Sequence, residues 1–246
     1  MQVIEASVRK DFTSTIRLAP MRFRVQESQS ELSREEVIRR CAKQRVGVLI
    51  HGYRVKYAGA LSAYQEVIEM AKAAGIEYEV WLPFYWPGSF AYSGFLFATG
   101  RANQAGDALG ELLGDLWRGG ATVDIETHSL GARVGCRAML KPRANVRNLI
   151  LTAPAIQDHL FEPTQEFAAT PYAAAGTHVC YSRTDEALWG FRATSWAHSA
   201  MGLYGPRDLA RVGPHVNPID FTAECADHSD YKRCPKLYSE WRGWAA

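Results

Sequence analysis

The chain has 246 residues, 47% hydrophobic and 22% charged, with 28 Lys and Arg against 26 Asp and Glu and a net charge of +2. That balance, without a basic run, excludes an electrostatic nucleic-acid footprint, and no stretch reaches the roughly 18 apolar residues of a membrane span. The five cysteines include no Cys-x-x-Cys pair, which argues against a disulfide framework and a zinc ribbon.

The N-terminal stretch "MQVIEASVRKDF" is interrupted by Arg9, Lys10 and Asp11. It lacks the apolar centre of a signal peptide, so a cytoplasmic location is expected. "VIEASVRK" and "MRFRVQ" read as a hairpin, and Ser33 with Glu36 forms a capping box for a helix over "REEVIRRCAK". "VGVLI" at 46–50 is a continuous apolar run, as in a strand buried on both faces. Leu61, Tyr64, Ile68 and Ala71 follow at helical spacing, and Gly75 stops that helix.

"YEVWLPF" is the next strand, and Ala105, Leu109, Leu112, Leu113 and Leu116 mark a second amphipathic helix ended by Gly119 and Gly120. "ATVDIE" (strand), "LGARVGCRAMLK" (helix), "VRNLILTAP" (strand) and "THVCYSRT" (strand) continue the pattern. A last strand, "NPIDFTA", and a closing helix, "KLYSEWRGWAA", complete it. Strands alternating with helices in this way predict an α/β fold, a mostly parallel sheet covered on both faces. With no repeat or linker, the chain reads as one domain over 1–246, a hairpin-and-helix extension at 1–44 preceding a core at 45–246.

The stretch "VDIETHSLGARVG" at 123–135 carries the chemistry. Ser129 falls between a predicted strand and a predicted helix. A sharp turn there lifts a side chain clear of the sheet and leaves helix N-terminal amides available to an anion. Gly131 supplies the small residue such a crowded turn needs, so Ser129 is a candidate nucleophile, with helix capping as the alternative role for its hydroxyl. In "VLIHGYR", Gly52 lets the chain turn after the first buried strand. The amides of Tyr53 and Leu130 would then form a two-donor oxyanion hole.

"LIHGY", "FYWPGS", "VDIETHSLGARV", "LTAPAI", "YSRTDEAL" and "ADHSDY" follow one another as in the α/β-hydrolase superfamily. The chain resembles a bacterial branch of serine hydrolases with an HG-aromatic loop and a Trp-Pro after the next strand. The resemblance covers roughly residues 45 to 232 and implies an α/β-hydrolase fold there, to which the predicted N-terminal antiparallel hairpin is added. It also implies the chain order nucleophile, acid, histidine, which, with Asp185 as the acid, places His51, His128, His159 and His178 too early for the base and leaves His198, His215 and His228. His228 in "ECADHSDY", on a polar loop after the last predicted strand, is the expected general base. Asp185 is the expected acid, with Asp158 in "APAIQDHL" as the rival.

Two departures stand out. Thr127 occupies the place two residues before the serine where the superfamily usually has glycine. Glu126 replaces an apolar residue, and a buried carboxylate there, like Asp124, needs a partner.

The resulting expectation is a serine hydrolase acting on a carboxylic ester or related acyl bond of a small molecule, through Ser129, His228 and Asp185, without metal or cofactor. Cys225 and Cys234 flank His228 but lack a convincing fourth metal ligand. Trp86, Phe90 and Tyr92, in an aromatic run with Phe95 and Phe97, are expected to wall the acyl pocket, with the stretch from Leu188 to Tyr204 as a second wall. A catalytically silent hydrolase-fold binding module is the competing reading. Dinucleotide binding is excluded because no Gly-x-Gly-x-x-Gly follows the first strand.

Overall fold

The computed structural model describes residues 1–14, 17–88, 94–141, 146–191 and 198–245. Nine strands form one sheet: β1 (Gln2–Arg9), β2 (Leu18–Val25), β3 (Glu31–Leu32), β4 (Arg45–Ile50), β5 (Val80–Tyr85), β6 (Thr122–His128), β7 (Val146–Thr152), β8 (Ala174–Tyr181) and β9 (Val216–Asp220). Their order is β3-β2-β1-β5-β4-β6-β7-β8-β9. From β1 to β9 every neighbouring pair is parallel; β2 runs antiparallel to both β1 and β3. This is the expected mostly parallel sheet with an antiparallel N-terminal edge.

The hairpin is not an appendage to that sheet. β1 lies between β2 and β5, with Ala6 opposite Phe84 and Ser7 opposite Tyr85. Its last six residues are buried, and Arg9 at its end reaches beneath the sheet's functional edge.

The principal helices are α1 (Arg34–Cys41), α2 (Tyr57–Ala73), α3 (Phe95–Arg118) and α4 (Gly131–Ala138). Two single turns, α5 (Glu186–Trp189) and α6 (Met201–Tyr204), precede the closing helix α7 (Pro235–Ala245). Ser33 caps α1 as predicted, its hydroxyl accepting from Glu36 N. The stretch around Leu209, between α6 and β9, is a single 3₁₀ turn (Leu209–Arg211).

Residues of β4, β5 and β6 are buried on both faces, as their apolar runs require. α4 covers one face. On the other, α7 closes over Asp124 of β6. That carboxylate accepts from the Tyr78 hydroxyl (2.6 Å), from Asn148 N and Nδ2 (3.0 Å each) and from Arg147 Nε (3.0 Å). Arg147 and Asn148 in turn hold the Ala245 and Trp244 carbonyls at 2.8 and 2.9 Å. The buried acid flagged in the sequence therefore clamps the C-terminal helix to the sheet, fully partnered as a buried carboxylate must be.

Candidate active site

β6 ends at His128 and α4 begins at Gly131, so Ser129 and Leu130 make the whole turn between them. Ser129 has φ +56°, the left-handed region that a side-chain-bearing residue enters at a cost of about 1–3 kcal/mol. The surroundings hold it there. Ser129 N donates to Thr152 O (3.0 Å), and Ser129 O accepts from Ala132 N and Ala155 N (3.1 Å each). A Cβ on Gly131 would lie 2.6 Å from the His51 and Ile50 carbonyl oxygens, and one on Gly52 would lie 2.8 Å from Ser129 Cβ. Both glycines are thus dictated by the close approach of the two loops.

Thr127 is accommodated rather than disruptive. Its methyl group fills the space over Gly135 of α4, where a Cβ would lie 2.8 Å from Thr127 Cγ2. Its hydroxyl donates to Ile150 O (3.3 Å). The glycine that this turn lacks before the serine is replaced by one on the helix that packs against it.

The candidate acid and the candidate base meet at the same sheet edge. His228 Nδ1 donates to Asp185 Oδ2 at 2.7 Å, and the Asp185 side chain is 1% exposed. Its other oxygen accepts from Leu188 N (3.3 Å), so one carboxylate both caps α5 and orients the imidazole. The loop bearing His228 is tied down at Cys225, whose carbonyl accepts from the hydroxyls of Ser182 (2.6 Å) and Thr184 (3.4 Å). Asp158 does not share this place: it lies beside His159, with Oδ1 3.5 Å from Nδ1.

His128 links the base to the elbow. Burial first, and then neighbouring His228, push its pKa down to about 3. The ring is therefore neutral, and its Nε2–H donates to the His228 carbonyl at 2.8 Å, with the two ring centroids 4.6 Å apart. The residue immediately before Ser129 thereby fixes the backbone of His228.

The loop carrying Tyr53 is held from below by Arg9. This fully buried guanidinium donates to Trp86 O (3.0 Å), Phe12 O (3.2 Å), Val55 O (2.9 Å) and His51 Nε2 (3.0 Å). His51 Nε2 accepts, so Nδ1 carries the proton and donates to Gly52 O (2.8 Å). Burial, followed by the Arg9 charge, holds the His51 pKa well below its ordinary value, which keeps this tautomer neutral. His51 N donates to the Tyr64 hydroxyl (2.7 Å), which donates onward to Phe84 O (2.7 Å). On the facing side, the Leu130 amide at the start of α4 meets no acceptor among the described residues.

Trp86, expected to face substrate, is instead 0% exposed. Its Nε1 donates to His51 O (2.8 Å), and its ring stacks on that imidazole, 5.6 Å between centroids and 9° between planes. The Trp-Pro segment therefore supports the loop and offers no open wall. Phe90 and Tyr92 lie outside the described residues, as does the side chain of Phe95, while Phe97 is exposed. In the suggested second wall, Leu188, Met201 and Leu203 are buried and 192–197 lie outside the described residues.

A cavity of about 510 Å³ adjoins the elbow, lined among others by Gly52, Val55, Tyr64, Glu126, His128 and Lys232. Glu126 projects from β6 and accepts from the Thr152 hydroxyl (2.9 Å). With that one bond against its burial, its pKa rises to about 7.

Arg9 and His128 are the residues that sequence reasoning missed. Arg9 registered only as an interruption of an apolar segment, and His128 only as a histidine too early in the chain to be the base. Adjacency to Ser129 was the one available signal for His128, whereas Arg9 acts across 77 residues to Trp86 and carried none.

Comparison with curated proteins and with solved structures finds no significant match for this chain. A family model described as "Alpha/beta hydrolase of unknown function (DUF900)" matches residues 26–204, a span that includes Tyr53, Ser129 and Asp185 and ends before His228. The chain belongs to this alpha/beta hydrolase family.

Proposed function

We propose that the protein is a serine hydrolase that cleaves a carboxylic ester or related acyl bond through an acyl-enzyme. The observation that carries this reading is the pairing of a left-handed Ser129 at the strand-to-helix corner with a His228–Asp185 hydrogen bond of 2.7 Å at the same edge. A serine capping a helix for stability alone needs neither the strained φ nor an oriented imidazole beside it.

In the reaction, His228 Nε2 takes the Ser129 proton as Oγ attacks the carbonyl carbon. Asp185 holds the proton on Nδ1 and stabilises the imidazolium. The amides of Tyr53 and Leu130 receive the oxyanion, the more effectively because the Arg9–His51–Trp86 lattice fixes the Tyr53 loop before substrate arrives. His228 then protonates the leaving alkoxide. Water, activated by the same imidazole, releases the acid and restores Ser129. The cavity of about 510 Å³, whose lining holds His128 and Ser229, the chain neighbours of Ser129 and His228, but neither of those two residues, is of the size and apolar character of small-molecule sites, and an apolar acyl or alcohol group of an ester suits it.

The test is labelling of the purified protein with a fluorophosphonate probe, followed by a series of aryl esters of increasing acyl length. Wild type labels and turns over esters; Ser129→Ala abolishes labelling and His228→Ala suppresses it. A folded wild type that never labels would favour the silent binding module. Labelling retained in Ser129→Ala would remove the serine from its role.

A further inference from the structure

The loop that follows β7 and the segment that leads into α6 run side by side. Asp158 N donates to Ser199 O (3.1 Å), and Gln157 and Ala200 form a β-bridge. Between them converge three side chains that the acyl-transfer reading does not use: Asp158, His159 and His198. One ligand-competent atom from each lies within 4.8 Å of the other two. The His159 and His198 rings face one another with centroids 4.0 Å apart.

The detail that needs explaining is a pair of orphans. Asp158 Oδ1 and His159 Nδ1 are both buried, and neither has a hydrogen-bond partner among the described residues. They stand 3.5 Å apart, too far to bond to each other. A buried carboxylate oxygen and a buried imidazole nitrogen are ordinarily paired. Their separation is, however, close to that of two ligands on one tetrahedral ion: with metal–ligand bonds of about 2.0–2.1 Å, ligand atoms sit about 3.4 Å apart.

The neighbouring cation leaves the carboxylate free for such a role. The Arg207 guanidinium bonds Glu162 at 2.9 and 2.8 Å, and Arg207 offers Asp158 only its backbone, N to O at 2.9 Å.

We propose that Asp158, His159 and His198 bind one divalent transition-metal ion, with Zn²⁺ the best match, fastening the loop after β7 to the segment before α6. Two imidazoles and one carboxylate suit zinc and its first-row neighbours. Calcium and magnesium call for oxygen donors. Three protein ligands leave one tetrahedral position for water or an external ligand.

The experiment titrates chelator-stripped protein with Co²⁺, read by its visible ligand-field absorption, and separately with Zn²⁺, read by calorimetry and thermal melting. One equivalent is expected to bind with a tetrahedral cobalt spectrum, and Zn²⁺ raises the melting temperature. His198→Ala and Asp158→Asn each weaken binding at least about tenfold while melting like wild type without metal. His228→Ala binds as wild type does, which separates this site from the Ser129 machinery. If His198→Ala does not fold, His159→Gln takes its place. The assignment is overturned if the folded, stripped protein binds no stoichiometric metal, if binding survives loss of His198, or if His228→Ala abolishes it.

Discussion

Among the described residues two carboxylate–imidazole pairs stand out, and they are built differently. In Asp185–His228 the atoms are 2.7 Å apart, and the second carboxylate oxygen is satisfied by Leu188 N. In Asp158–His159 the facing atoms are 3.5 Å apart, and neither finds a hydrogen-bond partner among the described residues. The same two residue types give a closed, oriented pair in one place and an open one in the other. A closed pair fixes a tautomer and stabilises a charge that appears during reaction. An open pair has lone pairs pointing at a shared space, which is the arrangement of ligands. Residue identity did not distinguish them; the distance between the facing atoms, and whether they bond, did.

The most demanding test makes the same chemical change in both pairs. Asp185→Asn is expected to lower kcat about 10³- to 10⁴-fold by releasing the tautomer of His228, whereas Asp158→Asn leaves kcat essentially unchanged. Steady-state kinetics on whichever aryl ester is turned over best decides it, and equal losses in the two variants would dissolve the distinction.

Glu126 extends the comparison to a carboxylate with no imidazole. Its folded pKa of about 7 lies above the ordinary 4.5, so folding favours the protonated form. The associated stability is complete below pH 4.5 and is lost as pH rises through 7. Glu126→Gln should therefore stabilise the protein at pH 8 by up to about 3 kcal/mol and change little at pH 4. Denaturant unfolding at the two pH values measures this, and a uniform effect at both would contradict it.

The elbow's compensation is tested by Gly135→Ala, which sets a methyl 2.8 Å from Thr127 Cγ2. A loss of about 1–3 kcal/mol is expected, most of it recovered in the double variant with Thr127→Ser, where that methyl is gone. Thermal melts of the single and double variants close the cycle.

The smallest effect is expected at Arg9. Arg9→Lys keeps the charge but loses the fork that spans the Trp86, Phe12 and Val55 carbonyls and His51. Roughly tenfold lower kcat with little change in KM is expected if Arg9 positions the Tyr53 loop for the transition state. A change confined to melting temperature would assign Arg9 to stability alone.

The apolar runs of β4, β5 and β6, the Ser33 cap and the serine at the end of "VDIETHS" were all legible before any coordinates. These are local features: period, capping chemistry and a crowded turn are properties of a few consecutive residues, and the buried sheet forces their pattern into the chain. Asp185 was legible in the same manner, since a carboxylate just past a strand and ahead of "EALW" caps a helix whatever else it does.

What tertiary structure alone decided involves residues far apart in sequence. It set Asp185 rather than Asp158 beside His228, and it turned Trp86 inward to carry the His51 carbonyl. It gave Thr127 its space from Gly135, and it inserted β1 into the sheet so that Arg9 could reach the loop at 51–55. Strand order is set by how whole layers pack, and a one-dimensional pattern does not record which buried polar atom will face which. The sequence by itself determined the elements and the chemistry they could hold. Packing decided which of two aspartates bonds His228 and which has an oxygen unpaired among the described residues.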